Sequence, residues 1–259
     1  MQSPVNTNTL EPLLNEFILN DQYQQTWRLR ELRRQFTTTE YAYFPNLFSP
    51  KVFSLLKTEV DRLKKFTLAK NYQPDGPGTS RNMKAFGGVR LLEESAAFSI
   101  LYIHHEIRTL LREVLDAPVY HSTHKQEVIG LHCLVDKGNT HGWHLDDGAY
   151  ILIMMFDAPA KDQGGTVEFI PNWKFHTEKF KYDPTQPIED CVQKCRKENL
   201  VREHYHATGD AYLLRGDRAL HRVKPLQGEG IERSIVVMGY TYTPEPVYTS
   251  RVTGLYDGN

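Results

Sequence analysis

The sequence predicts an α+β fold with a mainly β core, an antiparallel sandwich or barrel buttressed by N-terminal helices. Three observations predict it. The first 117 residues carry helical periodicity, the chain from Val119 onward breaks into short apolar runs separated by Gly, Asp and Pro, and no strand–helix alternation links the two. Helices first and strands afterwards place the two kinds of element in separate layers. At 259 residues and 40% hydrophobic content the chain is sized for one domain, with residues 1-117 as helical support and 118-259 as the β core.

From about Leu10 to Phe36 the chain is dense in Leu, Arg, Gln and Glu, which favour helix. Ser49-Pro50 then sets an N-cap serine and a proline at the first helical position ahead of Val52, Leu55, Leu56, Val60 and Leu63, an amphipathic stripe. Lys70 to Gly88 is rich in Gly, Pro, Asn, Ser and Asp and predicts a long loop. A helix over Glu93 to Leu115 follows, its buried stripe formed by Ile100, Ile103, Ile107, Leu110, Leu111 and Val114, and Asp116-Ala117-Pro118 ends it. Candidate strands lie near 119–128, 130–136, 149–156, 165–170, 207–215, 219–224 and 233–242, with a Lys- and Asp-rich insertion near 172-203.

A net charge of −1, with basic and acidic residues interspersed, gives no pull toward nucleic acid or an anionic membrane. No run of about 18 apolar residues is present, and the polar N-terminus lacks the pattern of a signal peptide. The expectation is a cytoplasmic protein with a small-molecule partner. Cys133, Cys191 and Cys195 are odd in number and read as reduced, structural thiols. Cys191 and Cys195 with His204 and His206 are a weaker zinc alternative, since no C-x-x-C spacing supports it.

The chemistry concentrates in Gly138-Asn-Thr-His-Gly-Trp-His144-Leu-Asp146-Asp147-Gly148. His144 and Asp146 are two apart, so on an extended strand their side chains share one face and can bind the same ion. His221, in a predicted strand after the Gly216-Asp217 turn, supplies a third ligand. Two imidazoles and one carboxylate on one face of an octahedron leave three positions open, the arrangement that oxygen activation at iron(II) uses. Arg233, twelve residues further on, heads the strand Ser234-Ile-Val-Val-Met and can grip the far carboxylate of 2-oxoglutarate through two parallel hydrogen bonds. An isolated H-x-D also arises as a hydrogen-bonded pair, and Arg233 alone as a sheet-edge cation. The order of the whole set, with Gly164-Gly165 and Gly209-Asp210 before apolar strands, favours the iron site.

With these residues in place the chain resembles the iron(II)/2-oxoglutarate oxygenase superfamily, and within it the radical halogenases of free amino acids, the lysine type among them, and their hydroxylase relatives. The likeness runs along Gly138 to Pro171 and Leu213 to Gly239. It implies a distorted double-stranded β-helix, a cupin-like jelly roll, with Fe(II), 2-oxoglutarate and dioxygen as cofactor and cosubstrates. It also implies hydroxylation of an unactivated C–H bond of an amino acid, lysine or another amine-bearing one as the first expectation, with release of succinate and carbon dioxide. Halogenases of this kind resemble the chain but carry a small residue where Asp146 stands, which vacates a position for chloride; here the carboxylate is present and hydroxylation is expected. Arg81, Glu127, His141 and Asp147 look like substrate contacts of that group. Glu127 and Asp147 would hold ammonium and Arg81 carboxylate, replacing lost water. Their bland counterparts are a cross-strand ion pair for Glu127 and a turn aspartate for Asp147. His141 could also be read as a metal ligand in an H-x-x-H pair, but the strand alternation should turn it away from His144. Where the lysine enzymes resembled here use Asn and Thr, this chain has Val237 and Gly239. Desaturation or ring closure by the same chemistry, a cupin-like binding protein without catalysis and a zinc hydrolase are the alternatives.

Overall fold

The computed structural model describes residues 10–15, 17–72 and 78–248. Its helices in chain order are α1 (Glu11–Asn15), α2 (Thr26–Thr39), α3 (Pro50–Leu63), α4 (Val89–Glu94), α5 (Ala96–Ile103), α6 (His105–Leu115), α7 (Trp173–Lys179) and α8 (Ile188–Lys197). Its strands are β1 (Tyr41–Phe44), β2 (Leu68–Tyr72), β3 (Arg81–Gly87), β4 (Tyr120–His121), β5 (Ile129–Leu134), β6 (Thr140–His144), β7 (Tyr150–Asp157), β8 (Val167–Ile170), β9 (Arg202–His204), β10 (Ala211–Leu214), β11 (Leu220–Val223) and β12 (Arg233–Thr241). The strands join in one curled antiparallel sheet, in the order β1-β10-β7-β12-β5-β3-β6-β11-β8-β9, with β2 beside β3 and β4 beside β12. This is the jelly-roll architecture the sequence predicts.

The strand β7 explains how the layers are assembled. Its run Tyr-Ile-Leu-Ile-Met-Met-Phe is apolar throughout because both faces are covered. Leu152, Met154 and Phe156 pack outward on the helices, whereas Ile151, Ile153 and Met155 point into the concave face with Val167, Tyr212 and Ile235. A third cluster, built on Trp143, Ile170, Trp173, Ile188, Cys191, Val192, Cys195 and Leu220, belongs to the 172–203 insertion, which folds as α7, α8 and β9. All three cysteines are free and buried. No helix among the described residues is long and apolar enough to cross a membrane.

Several local expectations need correction. The helix expected over 10–36 is two, separated where Leu19 bridges Phe48 and where the Asn20 side chain accepts the Gln22 N–H at 3.3 Å. The helix expected over 93–115 is interrupted twice: Ser95 caps α5 by accepting the Phe98 N–H, and His104 caps α6 by accepting the Glu106 N–H. Ile103, expected to be buried, is 66% exposed at the end of α5 as a result. Ser49 has the extended backbone of an N-cap, yet its buried hydroxyl has no partner among the described residues, so Pro50 alone marks the start of α3.

The largest correction falls on the loop expected over 70–88. Residues 81–87 form β3 in the middle of the sheet, between β5 and β6, and β2 pairs along it; residues 73–77 lie outside the described residues. Arg81, Met83 and Ala85 face inward and Asn82 and Lys84 outward, a period-2 signal that the polar composition conceals. β1, β6 and β9 are further strands absent from the expected set, and the strand expected over 119–128 is confined to Tyr120–His121.

Candidate metal centre

His144 ends β6 and His221 sits directly opposite it in β11. Asp146 follows β6 by two residues and is tied to the turn before β11, its N–H donating to the Gly216 carbonyl at 2.9 Å. The His144 Nδ1 lies 2.6 Å from the Gly142 carbonyl and the His221 Nδ1 lies 2.9 Å from the Ala219 carbonyl. A carbonyl can only accept, so both Nδ1 atoms carry the proton and both Nε2 atoms keep a free lone pair. The Nε2 atoms lie 3.6 Å (His144) and 3.2 Å (His221) from the Asp146 carboxylate oxygens. Ligand atoms about 2.1 Å from one ion and at right angles lie about 3 Å apart, so the trio fits a single metal. Among the described residues it is the one group of His, Cys, Asp or Glu with this disposition, and the cysteine–histidine alternative is not realised.

Electrostatics agree with that use. Burial, followed by the facing His221 and Arg81, holds His144 well below the usual histidine range, so its ring is neutral. Burial opposes ionisation of Asp146, but His221, His144 and Arg81 outweigh it and keep the carboxyl below its ordinary range.

His141 corrects an expectation. Its ring stacks on His144 at 4.0 Å between centroids and 21° between planes, and it lines the same cavity. The reason is in the ladder: His144 pairs with His221 and His141 with Val223, three steps on β6 against two on β11. That extra residue is a bulge, which rotates the strand and cancels the alternation. Gly142 sits within it, where a Cβ would meet the Thr79 Oγ1 at 2.2 Å.

The trio and His141 line one cavity that opens to solvent. Arg233, Ile235, Val237 and Gly239 alternate along the inner face of β12, and the last three line the cavity. Arg233 is 2% exposed, and its Nε and Nη2 have no hydrogen-bond partner among the described residues; the Tyr212 hydroxyl is its polar neighbour. Burial lowers the pKa of the guanidinium and Tyr212 partly offsets this. A buried cation with two idle donors requires an anion, and a carboxylate fits the fork. Gly165, at φ +73°, makes room for it, since a Cβ there would lie 3.1 Å from the Arg233 Cδ.

Arg81 and Glu127 also line the cavity, whereas Asp147 is half-buried beside it and contributes no wall. Residues that the sequence reading passed over are His132, Gln126, Tyr212, Ile129 and Ile151. His132, in β5 opposite Ile235, is pushed down to about 3 by burial and by Arg81, and is neutral. Its signal was a polar residue alternating with Leu131 and Cys133 in an apolar strand.

The halogenase D family matches residues 23–251, nearly nine-tenths of the sequence. The chain belongs to the halogenase D family. No curated protein matches it. Among solved structures, AviO1 from Streptomyces viridochromogenes Tue57 is similar at 17% identity and a TM-score of 0.60, covering 85% of this chain and 97% of that one. A prolyl hydroxylase from Trichoplax adhaerens, solved with a hypoxia inducible factor peptide, is similar at 16% identity and a TM-score of 0.56, covering 86% and 96%. The epimerase SnoN of nogalamycin biosynthesis, in complex with Fe3+, alpha ketoglutarate and nogalamycin RO, gives 15%, 0.57, 85% and 88%. At these identities the likeness establishes the fold. This member of the halogenase D family carries a carboxylate, Asp146, beside its two histidines.

Proposed function

We propose that the chain is an iron(II)- and 2-oxoglutarate-dependent oxygenase that hydroxylates a free L-amino acid. The observation that supports this reading is the His144–Asp146–His221 donor set at a cavity lined by Tyr212 and Ile235, with Arg233 buried behind Tyr212 and carrying two idle donors. The trio would hold iron(II) through two Nε2 atoms and one carboxylate oxygen, with Arg233 gripping the far carboxylate of 2-oxoglutarate. Bound there, the metal with 2-oxoglutarate and dioxygen supplies the power to convert a C–H bond to C–OH, with succinate and carbon dioxide as the other products.

The chain's own residues decide where that power is applied. Ala219 and Gly142 fix the imidazole tautomers, and the apolar wall of Ile151, Ile153 and Val237 excludes water. With a metal bound, Asp146 would take the coordination position that a halide needs, which favours hydroxylation over chlorination. Arg81, Glu127 and His141, which line the cavity, would orient an amino acid, and Asp147 would act from outside the wall. Lysine or another amine-bearing amino acid is what family resemblance alone suggests.

The test is an anaerobic titration of the metal-free protein with iron(II) and 2-oxoglutarate, then a screen of amino acids for oxygen-dependent succinate. The weak visible band of the chelate and a hydroxylated product mass are expected. A folded protein with no band is no oxygenase, and a hydrolase would release no succinate. Product mass separates hydroxylation from desaturation or ring closure.

A further inference from the structure

A chain of aromatic rings leads from the cavity to one end of the sheet. Tyr212, on β10, lines the cavity and lies within electrostatic reach of Asp146. Behind it the His206 ring stacks at 4.2 Å between centroids and the Tyr41 ring at 5.8 Å. Tyr41 is 1% exposed and is also stacked on Phe169 and His204. From His206 the chain continues to Tyr43, 5.7 Å away and half-buried on β1, the strand that ends the sheet order.

The polar atoms along this chain suit the loss of an electron and a proton together. The Tyr41 hydroxyl lies 2.6 Å from the His206 Nε2, its one polar partner among the described residues. The phenol therefore donates and Nε2 accepts, since the opposite tautomer would orphan a second buried group beside the His206 Nδ1, which already has no partner among the described residues. Tyr43 likewise donates to the Asp210 Oδ2, at 2.7 Å. Tyr212 differs: its hydroxyl is hydrogen-bonded to Arg233, and a guanidinium can only donate, so it offers no base for the Tyr212 proton. Tyr212 thus serves as a bridge for an electron, and Tyr41 as its source. Burial and Arg233 hold His206 well below the usual histidine range, so its ring is neutral before it receives a proton and returns that proton readily.

Resting on the oxygenase reading above, we infer that Tyr41 and His206 form a redox-active pair that, through Tyr212, quenches a metal-centred one-electron oxidant formed when oxygen is activated in the cavity with no substrate bound. One electron passes from Tyr41 across the Tyr212 ring and reduces that oxidant by one. The phenolic O–H bond breaks, the proton moves to the His206 Nε2, and Tyr41 is left as a neutral phenoxyl radical. Tyr43 then refills it: its electron goes to Tyr41, the His206 proton returns to the Tyr41 oxygen, and the Tyr43 proton passes to the Asp210 Oδ2. Ascorbate in solution, oxidised by one electron with its own proton passing to water, restores Tyr43 as Asp210 hands the proton back. The pair spares the metal ligands from the oxidant and carries the damage to a place where it is repaired.

The test reads a radical as well as a product. Protein loaded with iron(II) and 2-oxoglutarate is mixed with oxygen and no amino acid, frozen at intervals and read by electron paramagnetic resonance, with succinate measured in the same samples. The wild type should show a tyrosyl signal that changes shape when its tyrosines carry ring deuterium. Tyr41→Phe should lose that signal while still releasing succinate. With ascorbate added, the wild-type signal should decay several times faster than that of Tyr43→Phe, a difference that a purely structural role would not produce. Wild-type protein that forms the visible chelate band but no tyrosyl signal overturns the inference and leaves the oxygenase reading intact. So does a signal unchanged in Tyr41→Phe. Failure to form the chelate band at all overturns the reading and the inference with it. Should Tyr41→Phe fail to fold, Tyr43→Phe decides, and decay with ascorbate equal to the wild type overturns the inference.

Discussion

A Cβ on Gly216 would lie 2.7 Å from the Asp146 Oδ2, and the Gly216 carbonyl accepts the Asp146 N–H at 2.9 Å. The turn before β11 therefore ties the Asp146 backbone and leaves no spare room beside its carboxylate. Gly216→Ala should displace that oxygen together with the Ile151 Cγ1 and the Gly148 carbonyl, which a Cβ would meet at 2.6 and 2.9 Å. Metal affinity is expected to fall on the order of 10–100-fold, the usual cost of disturbing a group that orients a ligand. Nickel titration followed by calorimetry, with the melting temperature of the metal-free protein as control, checks this.

Arg233→Ala should raise the 2-oxoglutarate requirement by a factor of roughly 30 or more, since removing one partner of a buried charge pair costs about 2–5 kcal/mol. Metal binding in the absence of 2-oxoglutarate should stay nearly unchanged, because Arg233 touches none of the three ligands. Cosubstrate dependence equal to that of the wild type would mean that another cation anchors it.

The presence of Asp146 predicts oxygenated product even in high chloride. Mass analysis of turnover mixtures in chloride and in chloride-free buffer should show the same product. A chlorinated major species would place the carboxylate off the metal.

Glu168 offers a pH test away from the cavity. It is 2% exposed, and its carboxylate accepts from Arg196 at 2.8 Å and from Arg222 at 2.5 Å, joining β8 to α8 and β11. Burial raises its pKa, but the two arginines outweigh burial and hold the folded value below the ordinary 4.5. A lowered folded value means that the carboxylate stabilises the fold above about 4.5 and that this contribution fades as pH drops through the folded value. Glu168→Gln should thus lose roughly 2 kcal/mol at neutral pH, as for a charged hydrogen bond, and show a shallower stability slope below 4.5. Denaturant melts at several pH values measure both.

Much of the site was legible because its chemistry demands particular residue types in order: His144, Asp146 and His221 come together, and Arg233 is buried on the strand that carries the lining residue Ile235. The layers were legible too, since the apolar runs of β7 and β12 have no other use. β3 was not, because residues 70–88 read as loop by composition while the decisive alternation of Arg81, Met83 and Ala85 spans only a few positions. His141 was misjudged for a different reason. A bulge changes which face a side chain takes without leaving a mark in the local pattern, and only the pairing of β6 with β11 reveals it. Caps such as Ser95 and His104 divide a long helical pattern in the same silent way.

The insertion core has a bearing on endurance. Trp143 is buried among Trp173, Ile188 and Cys195, and Arg222 lies over its ring at 4.8 Å, while the next residue, His144, faces the cavity. One peptide bond thus connects the metal ligand to a small cluster held by two short helices. On heating, the site can last no longer than that cluster: once α7 and α8 detach, Trp143 loses its socket and His144 its fixed bearing. Thermal inactivation should therefore precede global melting, with amide exchange rising first in 173–197.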